Sequence, residues 1–196
     1  MFKKLSVKIF TVLAISLVVT AVCFAFTLLS KEEALKEVFW SGAKIETETK
    51  ELTGETLENI KKRLGGSLVH YQEGSESVQV EGEKTITFYF GVKDGERKGV
   101  AIIDTEPGKW GPVEFITAMD IKGTVKRVKV LAYQEQRGRP IARSSFMNQY
   151  RGKSSRSPLE VGRDITGISG ATISSRAATF AVKKAIVIYE EVYLKK

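Results

Sequence analysis

Cysteine and histidine occur once each in this 196-residue chain, as Cys23 and His70. A single cysteine closes no internal disulfide, and one Cys with one His cannot supply four ligands to a structural zinc. Haem attachment through C-x-x-C-H is excluded on the same count. A Cys–His nucleophilic pair has no support, because Cys23 sits within an apolar run and His70 lies far downstream. Proline is scarce at four residues, and no linker, internal repeat or low-complexity tract divides the chain. Length therefore indicates one domain with at most a small appendage. Hydrophobic residues at 42% and charged residues at 28% exclude both a disordered chain and a polytopic membrane protein.

Charge is missing altogether from Ile9 to Leu29, over 21 consecutive positions. At 1.5 Å per residue such a helix spans the roughly 30 Å hydrocarbon core of a bilayer. Lys3, Lys4 and Lys8 precede it, and the positive-inside rule keeps them cytoplasmic. The competing reading is a cleaved signal peptide, whose apolar region is normally about 7–15 residues. Neither Ala21-Val22-Cys23 nor Cys23-Phe24-Ala25 makes a clean small-x-small cleavage site, and Val22 before Cys23 argues against a lipoprotein signal. The uncleaved anchor is favoured. Residues 1–30 then form a single-pass anchor in the inner or plasma membrane, with the N-terminus cytoplasmic. Residues 31–196 form a domain on the outer side, as they do under either reading.

The net charge of +8 is unevenly spread. Residues 31–106 carry 11 basic and 16 acidic side chains. Residues 122–156 carry ten basic side chains and one acidic, Glu135. Such a segment suits phosphates, anionic headgroups or an acidic partner, or is simply a solvated basic face. Nucleic acid is not expected as a partner outside the cytoplasm.

The pattern predicts an α+β domain with an antiparallel sheet and flanking helices. A short helix is expected over 31–40, with Ser30 and Glu33 at capping-box spacing, and a second over 53–64, ended by Gly65-Gly66. Strand-like runs follow at 67–72, 84–92, 99–105, 113–121 and 124–133. Asp94-Gly95 and Lys122-Gly123 are the expected hairpin turns. A short helix is expected over 144–150 and a closing helix over 174–193, whose Ala177, Phe180, Ala181, Val182, Ala185 and Ile186 read as core.

Chemistry concentrates in Asp164-Ile-Thr-Gly-Ile-Ser-Gly-Ala-Thr-Ile-Ser-Ser-Arg176, a loop of small residues running into a helix. Gly170 permits positive φ or close approach of a ligand. Thr172, Ser174 and Ser175 offer hydroxyls, one of which can cap the helix. The free N–H groups and positive dipole end of the helix favour a phosphate. An ordinary capped loop has the same composition.

Ser169-Gly170-Ala171-Thr172-Ile173-Ser174-Ser175 resembles the S-G-A-T-x-[ST] signature of the FMN-binding domain family. That family includes the G subunit of Rnf-type ferredoxin:NAD oxidoreductases, the C subunit of sodium-pumping NADH:quinone oxidoreductases and stand-alone extracytoplasmic flavoproteins. The run from Val130 to Gly138 resembles the family's V-L-x-x-x-E-x-x-G strand and loop. Phe146 to Lys153 resembles its F-L-x-Q-F-x-G-K helix, and Trp110-Gly111-Pro112 sits where the family has a glycine-rich loop. Thr166 stands six residues before Thr172, where the family usually has Asp. Gln136-Arg137-Gly138-Arg139-Pro140 resembles the basic loop of stand-alone members.

The resemblance implies a membrane-anchored electron-transfer flavoprotein carrying FMN as a phosphoester on Thr172. A flavin transferase would attach it, and other membrane redox subunits or an extracytoplasmic carrier would exchange electrons with it. It implies a redox subunit rather than a self-contained enzyme. Thr172, Ser169, Gly170, Ala171, Ile173, Ser174, Ser175 and Arg176 are expected around the phosphate. Glu135, Arg137, Gly138 and Trp110 are expected beside the ring. The alternative is a non-redox anchored module that holds an anion or partner on its 122–156 segment. Metal ligands are not expected, and His70 reads as an ordinary strand residue.

Overall fold

The computed structural model describes residues 26–73, 75, 84–134 and 141–195. The expected anchor lies outside them apart from its last five residues. Among the described residues, no helix is long and apolar enough to cross a membrane.

Among the described residues, six antiparallel strands form one sheet: β1 (Phe26–Thr27), β2 (Lys44–Glu51), β3 (Thr85–Lys93), β4 (Glu96–Pro107), β5 (Pro112–Asp120) and β6 (Val125–Tyr133). Their order is β1-β6-β5-β4-β3-β2. The β3–β4 turn uses Asp94 at φ 53° and Gly95 at φ 77°. Two successive left-handed residues are what a two-residue type I′ hairpin requires. In the β5–β6 turn, Asp120 Oδ1 accepts from the backbone N–H of Lys122 and Thr124, both at 3.0 Å.

Both faces of the sheet are covered. On one, α1 (Lys31–Val38) buries Ala34, Leu35 and Val38 against Tyr89, Ala101, Ile116, Ala118 and Leu131. The expected capping box starts this helix, with Ser30 Oγ accepting from Glu33 N–H at 3.2 Å and Glu33 accepting from Ser30 N–H at 2.9 Å. On the other face lie α2 (Gly54–Arg63), α3 (Ser144–Met147), a 3₁₀ turn (Asn148–Tyr150) and α4 (Thr172–Tyr189), which ends in a π-helical turn (Glu190–Leu194). Ala178, Ala181 and Ala185 are among the small residues that let α4 approach the sheet closely. The six core positions expected of the closing helix are all buried.

Two expectations change. β2 was not expected: its sequence, KIETETKE, is charged and largely exposed, as suits a strand near the sheet edge. It pairs with β3 along its whole length, from Lys44 opposite Val92 to Glu51 opposite Thr85. Conversely, residues 67–72 are not a strand. Their backbone is satisfied by side chains instead: Lys184 Nζ donates to Leu68 O at 2.8 Å, and His70 N–H donates to Glu106 at 3.0 Å. The segment is a strap lying across α4. Phe26 and Thr27, near the end of the apolar run, pair with Tyr133 and Ala132.

Gly91 and Gly99 face each other across β3 and β4 and make a hollow for Phe39. A Cβ on Gly91 would stand 2.6 Å from Phe39 Cδ1, and one on Gly99 would stand 3.2 Å from Phe39 Cε1. Gly91→Ala is expected to displace that ring and lower stability by about 1–3 kcal/mol, as overpacking does. Urea unfolding checks this, and the Phe39→Ala background should recover part of the Gly91→Ala loss.

Candidate functional site

Gly170, at φ 76°, turns the chain into α4 from a backbone conformation that a side chain would strain. The N-cap is Ala171, whose side chain makes no capping hydrogen bond. Ser175 does not cap it either. Its hydroxyl donates to Ala171 O at 2.9 Å and accepts from Ile168 N–H at 3.1 Å, so it ties the turn from behind. Ser175 and Ser174 are buried, whereas Thr172 is exposed at the start of the helix.

Lys109 and Trp110 face residues 170–174 across a pocket of 210 Å³. Both come from the β4–β5 loop, which Gly108 N–H closes on Gly111 O at 2.8 Å. Gly111 packs so tightly on Gln134 that an added Cβ would lie 2.6 Å from Gln134 Cβ. Lys109 Nζ sits 4.8 Å over the Trp110 ring. Below the pocket, Gln72 Nε2 donates to Ile173 O at 3.0 Å, and Gln72 Oε1 is buried without a hydrogen-bond partner among the described residues.

The loop leading into the turn is clamped by the α3 region. Gln149 accepts from Thr166 N–H at 2.8 Å and donates to Thr166 O at 3.1 Å. Lys153 pairs with Asp164 at 2.8 Å, and Asp164 in turn accepts from Glu160 N–H at 2.9 Å. Tyr150, fully buried, shares a hydrogen bond with Thr179 of α4 at 2.9 Å. Gln149 and Lys153 thus support the loop rather than line the pocket.

Of the residues expected to hold a cofactor, the structure brings Trp110, Gly170, Ala171, Thr172, Ile173 and Ser174 together. Ser169 is exposed on the turn, Ser175 lies behind it, and Arg176 lines a neighbouring cleft. Glu135, Arg137 and Gly138 lie outside the described residues. Lys109 was missed, although its position next to Trp110 was a signal. Four basic side chains of the 122–156 segment are engaged within the domain. Lys126 pairs with Asp120 and Lys129 with Glu37, Arg127 bonds to Glu37 O, and Lys153 is taken by Asp164.

A charged cluster that sequence reasoning also missed lies under the strap. Lys184 pairs with Asp104 at 2.7 Å and with Glu106; Lys184 and Glu106 are buried and Asp104 is half-buried. Two carboxylates meet one ammonium there, and Asp104 Oδ2 is buried without a partner among the described residues. Burial pushes Glu106 up to about 8 despite Lys184, and the Asp104 charge adds to the push. Burial also works against Lys184, but the two carboxylates hold it above the ordinary lysine value. A carboxyl with a raised folded-state pKa binds more protons folded than unfolded, so its contribution to stability falls as pH rises. Wild type is therefore expected to lose stability relative to Glu106→Gln between about pH 5 and about pH 8. Urea midpoints across that range check it, and a constant difference would refute it.

The pocket's donor set is an exposed hydroxyl, an uncapped helix N-terminus, an ammonium group and a flat indole. It fits a phosphate ester carrying an aromatic ring. Residues 108–187, from this loop almost to the end of α4, match the model of the family described as FMN-binding domain. The G subunit of the Na(+)-translocating ferredoxin:NAD(+) oxidoreductase complex of Acetobacterium woodii is 29% identical over 119 residues. That match covers 55% of this chain and 57% of the relative, so the chain spans little more than half of that protein's length. The crystal structure of NqrC from Shewanella oneidensis is similar with a TM-score of 0.49 and 14% identity, over 77% of this chain and 85% of that one. Residues 108–187 are thus similar to the FMN-binding domain family, and that match supports FMN as the cofactor.

Proposed function

We propose that this protein is a membrane-anchored electron-transfer flavoprotein that holds FMN as a phosphoester on Thr172. The observation that carries the reading is the exposed Thr172 hydroxyl on an uncapped helix N-terminus, facing Lys109 and Trp110. Bound FMN supplies one- or two-electron exchange. The chain's own part is placement. The first turn of α4 and Lys109 supply positive potential to the phosphate, and the Trp110 ring supplies a flat wall. Ser175, Gln149 and Lys153 keep the turn in register with that wall. Among the described residues, no pair of groups poised for acid–base chemistry lines the pocket, and the reading here is of a relay.

A phosphoester would keep the cofactor from diffusing away outside the cytoplasm, and a flavin transferase would form it. The names of the similar proteins support partners among the redox subunits of a membrane complex. The uncharged run, preceded by Lys3, Lys4 and Lys8, supports the anchor. With Phe26–Leu29 held against β6, residues 9–25 are left to cross, about 25 Å of helix and enough for a thin span. Phe26 enters the sheet opposite Tyr133, the same end at which Pro112 leaves the Trp110 loop. An anchor there would hold the pocket close to the membrane.

Intact mass tests the linkage. Wild type co-expressed with a flavin transferase and then denatured is expected to gain about 438 Da, one FMN less water, and Thr172→Ala to gain nothing. A yellow native protein with no gain would mean that the flavin is held without a covalent bond. A colourless protein with no gain would remove the flavoprotein reading.

A further inference from the structure

A second cleft, of 430 Å³, opens along α4 one helical turn beyond Thr172. Leu64, Leu159 and Phe180 give it apolar walls, while Arg176, Lys183 and His70 bring nitrogen to its rim. Arg176 and Lys183 lie seven residues apart on α4, about 10 Å along its axis. Neither forms an ion pair among the described residues. The acid at the cleft, Glu160, reaches Arg163 at 3.8 Å.

The cleft is pre-formed from below. Lys184 and Glu106 pin the strap at Leu68 O and His70 N–H, which sets the His70 ring on Phe180 at 5.0 Å and nearly parallel. On the opposite wall, buried Leu159 is held at φ 49°, a conformation that a branched side chain rarely adopts. The cleft's size lies within the range of small-ligand sites.

We propose that this cleft binds a small organic anion with a flat apolar body, its carboxylate held by Arg176 and Lys183. The body lies between Leu64, Leu159 and Phe180, walls that would be wasted on inorganic phosphate. Burial, together with the charges of Arg176 and Lys183, lowers the His70 pKa, so the imidazole is neutral and offers one donor and one acceptor. The proposal is independent of the flavin linkage, since Thr172 lines the other pocket.

Full-length protein in phosphatidylcholine nanodiscs is titrated with para-fluorobenzoate and followed by fluorine NMR, with empty nanodiscs as reference. Saturable binding is expected, weakened about tenfold or more in the Arg176→Ala/Lys183→Ala double variant. The neutral para-fluorobenzyl alcohol should bind about tenfold or more weakly than the carboxylate. Flavin-free and flavin-loaded protein should bind the anion alike. No binding beyond empty nanodiscs, equal binding of the alcohol, or an unaffected double variant would each overturn the proposal. So would binding confined to flavin-free protein, which would put the anion in the flavin pocket.

Discussion

The site depends on one helix end that its own side chains leave open. A helix start normally satisfies its first N–H groups with a Ser, Thr or Asp cap. In α4 the N-cap is Ala171, and Ser175 points backwards, bonding Ala171 O and Ile168 N–H. The turn is therefore rigid, yet its positive end still faces the pocket. Gly170 makes the arrangement possible through its positive φ, and the Gln149 and Lys153 contacts hold the approaching loop.

The rest of the fold presents that helix end to the Trp110 loop. α4 lies across β4 and β5, so its N-terminus meets the loop that joins those strands. Close packing by alanines fixes the distance, and Gly111 against Gln134 fixes the loop from the β6 side. The Lys184–Asp104–Glu106 cluster adds a polar tie between α4, β4 and the strap. Such clusters seldom add net stability over an apolar equivalent, but they fix which segments lie together. Here the segment so fixed is 68–70, which no strand pairing holds.

Much of this was legible from residues alone. The 93–96 hairpin, the Ser30 capping box, the α3 region and the apolar face of α4 each carry a local signal that tertiary contacts did not override. β2 was illegible because an outer strand made of charged residues has no hydrophobic period. Residues 67–72 misled for the opposite reason: Leu68 and Val69 are buried, but by a strap that meets a buried lysine. The pairing of Trp110 with Thr172, more than 60 positions apart, was legible only through the family resemblance. Local pattern could not separate the exposed Thr172 from the structural Ser175, because burial, not residue type, distinguishes them.

The most direct test of the account is to locate the phosphoester bond. Flavin-loaded protein is digested, and the yellow peptide spanning residues 164–176 is fragmented in the mass spectrometer. The exposed start of α4 predicts that Thr172 carries the whole modification and that Ser174 and Ser175 carry none. Flavin on Ser169, or on any residue outside the α4 turn, would contradict the central claim that this open helix end receives the cofactor's phosphate.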